Sequence, residues 1–345
     1  MRAFVTGGTG LIGRHVIDAL LAGGWEVWAL VRDPARAADL ASRGVRIIPG
    51  DVTRPDFVHD LAGVDVLFHH AAWFEVGVRD YQAMYDVNVA GTANVLALAK
   101  QENVPRIVVT STAGLFPASA DRPATEASPP SAVLDDPYVV TKLQAHELAV
   151  KAMQAGLPVT IVAPSAVFGP RDTNQLGQSL ALLVRGRLPL LPSGFGVNTW
   201  VHAADVAEGH LLAATVGRPG EMYFLGDRVL SMYDFLRAAA GAAGVKPPRG
   251  QVPMGLVRFV ARFSEWRARR AGRTPLLSRK ALEFSRLDVV VDASKARREL
   301  GWRPKPLEER LKDTMAWYVE TYARGDAPLP VKRAGASAGA RVRKA

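Results

Sequence analysis

The sequence predicts a doubly wound α/β fold, a parallel sheet covered on both faces by helices and followed by a smaller C-terminal region. Three observations predict it. Short apolar runs alternate with helix-compatible stretches through the first half of the chain, a glycine-rich turn joins the first run to the first helix, and no stretch approaches the ~18 uncharged apolar residues of a membrane span. With 345 residues, 48% of them hydrophobic and 22% charged, the chain can bury a sizeable core.

In order, Arg2 to Val5 is the first apolar run, and Gly7 and Gly8 end it too early for a signal peptide. An amphipathic helix from about Leu11 to Leu21 and a second run, Glu26 to Val31, complete a β-α-β unit. Runs at Val45 to Ile48, Val64 to Phe68, Arg106 to Thr110 and Val159 to Val162 repeat the pattern. Tyr81 to Lys100 and Tyr138 to Gln154 are long enough for major helices. Apolar residues on nearly every face of the first (Met84, Tyr85, Val87, Val89, Val95, Leu96, Leu98) imply burial on two sides. After Pro164, proline, glycine and arginine punctuate shorter segments. The chain therefore divides into residues 1–164, a region 165–330 partly interleaved with the first, and a tail 331–345 read as disordered.

Lys and Arg outnumber Asp and Glu by 43 to 33, a net charge of +10 that raises nucleic acid as a partner. Half of the excess is local, because the tail carries Lys332, Arg333, Arg341, Arg343 and Lys344 with no acid, and no nucleic-acid role is expected. Met254 to Arg273 reads as a basic amphipathic helix, with Leu256, Val260, Phe263 and Trp266 opposed by Arg258, Arg262, Arg269 and Arg273. An apolar stripe normally faces a core, so packing on the C-terminal region is the favoured reading and peripheral membrane contact the weaker one. The lack of cysteine excludes disulfides, thiolate metal sites and cysteine nucleophiles, and fits a reducing cytoplasm. The histidines show no metal-ligand spacing, and serine-hydrolase, P-loop and zincin motifs are absent, so no metal site is expected.

Thr6-Gly7-Gly8-Thr9-Gly10-Leu11-Ile12-Gly13 lies where a strand ends and a helix begins, the context of a dinucleotide fingerprint. Gly7 permits the tight turn, Gly10 lets backbone approach a pyrophosphate at the helix start formed by Leu11 and Ile12, and Gly13 allows close helix-to-strand packing. About 20 residues on, where NAD binders place an acid on the ribose, stands Arg32. A guanidinium there, with Arg36 as second clamp, suits a 2′-phosphate and favours NADP(H), while Asp33 keeps NAD(H) open. Asp51 and Val52 follow the third strand as an adenine-edge site, or as a simple helix cap. Tyr138 and Lys142 share one helix face, where a nearby ammonium is expected to lower the phenol pKa and make it a usable proton donor or acceptor.

Together with His69-His70-Ala71-Ala72, Asn88, Thr110-Ser111-Thr112-Ala113, Tyr138-Val139-Val140-Thr141-Lys142 and Pro164 to Pro170, these motifs resemble the extended short-chain dehydrogenase/reductases, the NAD(P)-dependent epimerase/dehydratase superfamily. The likeness covers about residues 1 to 325. Val31 to Pro34, Gly169 to Asp172 and Ala203 to Ala213 bring it closest to dihydroflavonol 4-reductase-like proteins and hopanoid-associated sugar epimerases. It implies a Rossmann domain and a catalytic triad of Thr112, Tyr138 and Lys142, with Ser111 as fallback for Thr112. It also implies Ala71 and Ala72 lining the cofactor cleft, Pro164 to Val167 near the nicotinamide, and a homodimer built on the two long helices. Two departures matter: Asn198 and Ala163 stand where many nucleotide-sugar members carry arginine, which favours a smaller or apolar carbonyl substrate. Trp73, Phe74, Phe116, Asn198 and Trp200 are the candidate substrate contacts, with core packing the alternative for the aromatics. The expected activity is NADP(H)-dependent interconversion of a carbonyl compound and an alcohol. The alternatives are a sugar epimerase or dehydratase holding NAD and a cofactor-binding scaffold without turnover.

Overall fold

The computed structural model describes residues 1–54, 56, 61–77, 80–188, 190–270, 279–325 and 327–330. The basic tail and Arg273 lie outside the described residues, as do the side chains of Phe263 and Arg269. The first half runs β1 (Arg2–Thr6), α1 (Leu11–Ala22), β2 (Glu26–Val31), α2 (Ala38–Ala41), β3 (Arg46–Pro49), β4 (Val66–His69), α3 (Tyr81–Tyr85), α4 (Gly91–Gln101), β5 (Arg106–Thr110), α5 (Pro137–Gln154) and β6 (Val159–Pro164). The remainder runs β7 (Ala166–Phe168), α6 (Gln175–Val184), β8 (Leu190–Pro192), β9 (Val197–His202), α7 (Ala203–Thr215), β10 (Met222–Leu225), β11 (Arg228–Ser231), α8 (Met232–Ala243), β12 (Gly250–Val252), α9 (Met254–Arg270), α10 (Arg279–Phe284), α11 (Ser294–Glu299) and α12 (Leu307–Tyr322).

Seven strands form one parallel sheet in the order β3-β2-β1-β4-β5-β6-β10. Their residues are apolar at nearly every position because helices cover both faces. Ala3, Val5, Phe68 and Val108 pack toward α1 and α7, whereas Phe4, Leu67, Ile107 and Val109 pack toward α4 and α5. The strand order reverses between β1 and β4, which opens a crevice at the C-terminal strand ends. Residues 203–225 return to this sheet through α7 and β10. The rest of the C-terminal region builds a second core from α6, α8 and α12 over the small sheet β11-β9-β7.

Two sequence expectations give way to tertiary packing. The helix expected over Tyr81 to Lys100 is continuous but contains a π-helical turn at Asp86–Ala90. There Gly91 sits so close to Val52 that a Cβ would lie 2.8 Å from its Cγ2, and Asn88 is turned inward. In α9 the stripe expected to face a core does not: Val257 and Ala261 pack against Leu282, while Leu256 and Val260 are more than half exposed. No helix among the described residues is long and apolar enough to cross a membrane.

Candidate active site

At the reversal point the glycines are required by contact. Gly7 has φ +72°, and a Cβ on it would lie 2.6 Å from the Ala71 nitrogen; one on Gly13 would lie 2.3 Å from the Gly7 oxygen. Gly10 meets only that oxygen, at 3.3 Å, and no side chain caps the start of α1. The positive helix end is thus free to meet a pyrophosphate, and the residues fit a dinucleotide. Thr6 binds the two strands across the crevice, its Oγ1 accepting from the Ala71 N–H at 3.3 Å.

Arg32 is exposed directly after β2, and Arg36 is exposed in the short 3-10 turn that follows. The Asp33 carboxylate caps that turn, accepting from the Ala35 N–H at 3.1 Å. Asp51 accepts from the Thr53 N–H at 3.0 Å, and Val52 is buried beside it. Both acids serve local turns.

Tyr138 enters through the first turn of α5, where Asp136 accepts from the Tyr138 N–H at 2.9 Å and from the Gly77 N–H at 2.8 Å. Pro137 at the first helical position fixes the entry. The Tyr138 ring meets Phe74 edge-on at 4.8 Å and Phe284 at 6.3 Å between centroids. Its hydroxyl lies near the Thr112 side chain. Burial pushes the phenol up to about 12, the nearby Thr112 side chain opposes this, and the Asp136 charge adds to it. The lowered pKa expected from the lysine is therefore not found. Lys142 instead donates from Nζ to the Thr110 carbonyl at 3.0 Å, and burial brings it down to about 8. Ser111 is turned away, paired with His146 Nδ1 at 3.0 Å, which leaves Thr112 as the hydroxyl beside Tyr138.

Buried histidines brace the strand ends. Thr92 donates to the Asn88 carbonyl at 2.7 Å, so His69 Nε2 must donate to Thr92, and His69 Nδ1 accepts from Thr6. Desolvation holds this ring neutral, with its pKa near 3. His210 likewise donates from Nδ1 to the Val206 carbonyl and accepts from Thr110, whose oxygen accepts from His70. The same Thr110 carries the Lys142 anchor on its carbonyl.

Of the remaining candidates, Trp73 is fixed through its backbone, its N–H donating to Asn88 Oδ1 at 2.7 Å and its carbonyl accepting from Asn88 Nδ2 at 3.2 Å. Phe116 lines an apolar cavity of about 150 Å³ with Gly114, Pro117, Ala118, Val133, Leu287, Asp288 and Val289. Asn198 bridges to Val289 from β9. Trp200 does not reach this cleft: it is 1% exposed, stacked on Phe235 at 3.8 Å, with its indole N–H on the Leu230 carbonyl. It belongs to the second core, because inward-facing β9 residues cover α8. Pro164 ends β6, and Val167 lies in β7 beside it.

Sequence reasoning missed Asp136, His146 and Phe284. Asp136 had a signal, an Asp-Pro pair opening a helix. His146 is one turn beyond Lys142 on the same face, whereas nothing local announces Phe284. Among the described residues no three His, Asp or Glu side chains cluster as a metal site.

The strand order, the glycine turn at its first connection and the chemistry at the strand ends define an NAD(P)-dependent enzyme of the extended short-chain dehydrogenase/reductase type. The chain belongs to the NAD-dependent epimerase/dehydratase family, whose model matches residues 3–226. A Synechocystis protein assigned as a dihydroflavonol 4-reductase is 32% identical, over 91% of this chain and 94% of that one. A 4-hydroxy-2-methyl-3-oxo-4-farnesyl-3,4-dihydroquinoline-1-oxide ketoreductase of Stigmatella aurantiaca is 34% identical, over 88% and 92%. The solved dTDP-glucose 4,6-dehydratase of Streptomyces venezuelae, which has NAD bound, superposes with a TM-score of 0.76 at 27% identity, covering 93% of this chain and 97% of that one.

Proposed function

We propose that this protein reduces an apolar ketone or aldehyde with NADPH, or runs the reverse oxidation, using Thr112, Tyr138 and Lys142 as catalytic residues. The observation that carries the reading is the Tyr138 phenol, near Thr112 and between Phe74 and Phe284, a proton donor among apolar rings. A bound nicotinamide supplies the hydride. Tyr138 gives its hydroxyl proton to the carbonyl oxygen, Thr112 holds that oxygen, and Lys142, anchored on Thr110, holds the cofactor ribose. Gly7, Gly10, Leu11, Ile12 and Gly13 would cradle the pyrophosphate. Asp51 and Val52 would meet the adenine, and Ala71, Ala72, Pro164 and Val167 the nicotinamide half.

NADP is favoured over NAD because Arg32 and Arg36 are exposed just after β2, where they would meet a 2′-phosphate, while Asp33 is engaged in its own turn. An apolar substrate is supported by the apolar cavity at Gly114 and Phe116, in the segment that follows Thr112, and by Asn198 and Ala163 in place of arginine. The farnesyl group in the Stigmatella relative's name points the same way. A nucleotide-sugar dehydratase or epimerase is the second reading, supported by the NAD-bound Streptomyces structure. Assaying NADPH and NADH consumption against a panel of aldehydes and ketones tests the proposal; turnover of nucleotide sugars alone would overturn it. A homodimer through α4 and α5 belongs to the same reading. Light scattering at micromolar concentration should give twice the chain mass of 37.1 kDa.

A further inference from the structure

Helix α9 shows solvent what a helix normally hides. Val257 and Ala261, one turn apart, form its packing edge against Leu282 of α10. Leu256, Phe259 and Val260 are 57%, 70% and 51% exposed. At about 100° per residue, these three share an arc away from the packing edge, and exposed Arg258 and Arg262 border that arc. The helix contains Arg258, Arg262, Arg267, Arg269 and Arg270 against one acid, Glu265. Exposed apolar residues with a cationic border are complementary to a surface that is anionic outside and hydrocarbon beneath.

We propose that α9 docks on an anionic phospholipid surface, with Leu256, Phe259 and Val260 entering the acyl boundary and Arg258 and Arg262 meeting lipid phosphates. A groove on a protein, or a second copy of the chain, would cover the apolar residues but would leave the predominantly basic border without purpose. The placement also matters for the cleft. Leu282 of α10 touches α9, and Phe284, two residues on, meets Tyr138. The docked face is thus joined through one short helix to the wall of the candidate active site. A lipid-dissolved carbonyl compound would find that site at the membrane, a consequence that rests on the apolar-substrate reading, whereas the docking itself does not.

The full chain is sedimented with vesicles of phosphatidylcholine containing roughly one-third phosphatidylglycerol, and with phosphatidylcholine alone, at low salt and at ~0.5 M salt. Binding should require phosphatidylglycerol and fall with salt. Phe259→Glu should cut it by about ten-fold or more, and Arg258→Glu or Arg262→Glu by about five-fold for each charge removed. The wild type failing to bind would overturn the proposal. So would binding that Phe259→Glu leaves intact, since the basic tail would then be the attractant. A lower mass for Phe259→Glu than for the wild type by light scattering would assign the face to a second copy and overturn it equally. Reduction of a water-soluble ketone without vesicles separates the two readings: Phe259→Glu should keep it, and its absence from a wild type that still binds vesicles would fault the proposed function alone.

Discussion

Tyr138 and Lys142 share one turn of α5, yet they face different groups, the phenol lying near the Thr112 side chain and the ammonium donating to the Thr110 carbonyl. A buried phenol held up to about 12 keeps its proton at neutral pH, so the protonated form from which carbonyl reduction starts is the populated one. Tyr138→Phe keeps the ring between Phe74 and Phe284 and removes the proton. Turnover should fall by about 10² or more with cofactor affinity retained, and wild-type turnover in that variant would end the proposal. Arg32 supports a second prediction. Its loss should cost NADPH about 1.5–3 kcal/mol, one to two decades of affinity, and Arg32→Asp should reverse the preference toward NADH. Titrations with both cofactors at equal ionic strength decide it, and tighter NADH binding by the wild type would refute the reading.

Within the helix that follows α3, the π-helical turn turns Asn88 toward Trp73 and α5, where it holds both Trp73 backbone groups and donates to Thr141 at 3.0 Å. Asn88→Ala would leave these buried groups unpaired and should cost about 2–4 kcal/mol, read by urea unfolding. An unchanged midpoint would show the turn to be held by Gly91 against Val52 alone. This detail was not legible in the sequence, since Tyr81 to Lys100 is helical throughout and the deviation is set by Val52 and Trp73 on other segments. The sheet was legible, because strands buried on both faces read as continuous apolar runs. Their ends moved where loop hydrogen bonds decide: the strand expected to begin at Val64 begins at Val66, since the Val64 N–H closes a turn onto Leu61. The glycine fingerprint was legible for a steric reason, as two of its positions have no room for a Cβ. Phe284 and the packing edge of α9 were not, because a contact between distant elements leaves no periodicity of its own.

Across the whole molecule, the six described histidines are all pushed below their ordinary pKa by burial, His69 and His202 to about 3 and His146 and His210 to about 4, with His15 and His70 also lowered. An unfolded histidine takes up a proton as pH falls through about 6.5, whereas His69, His146, His202 and His210 stay neutral until about 3 to 4. Their contribution to stability is therefore complete above pH 6.5 and is lost as pH falls from there, each ring by up to about 1.4 kcal/mol per pH unit. Urea midpoints measured from pH 7.5 down to 5 should drop steeply, and a flat profile would contradict the burial of these rings. The same feature makes folding a proton-releasing reaction. In a weakly buffered solution near pH 5, unfolding should draw protons from the medium, close to one for each of His69, His146, His202 and His210. A pH-stat would record the transition as consumption of acid, while these rings in the native protein add almost nothing to its buffering between pH 7 and 5.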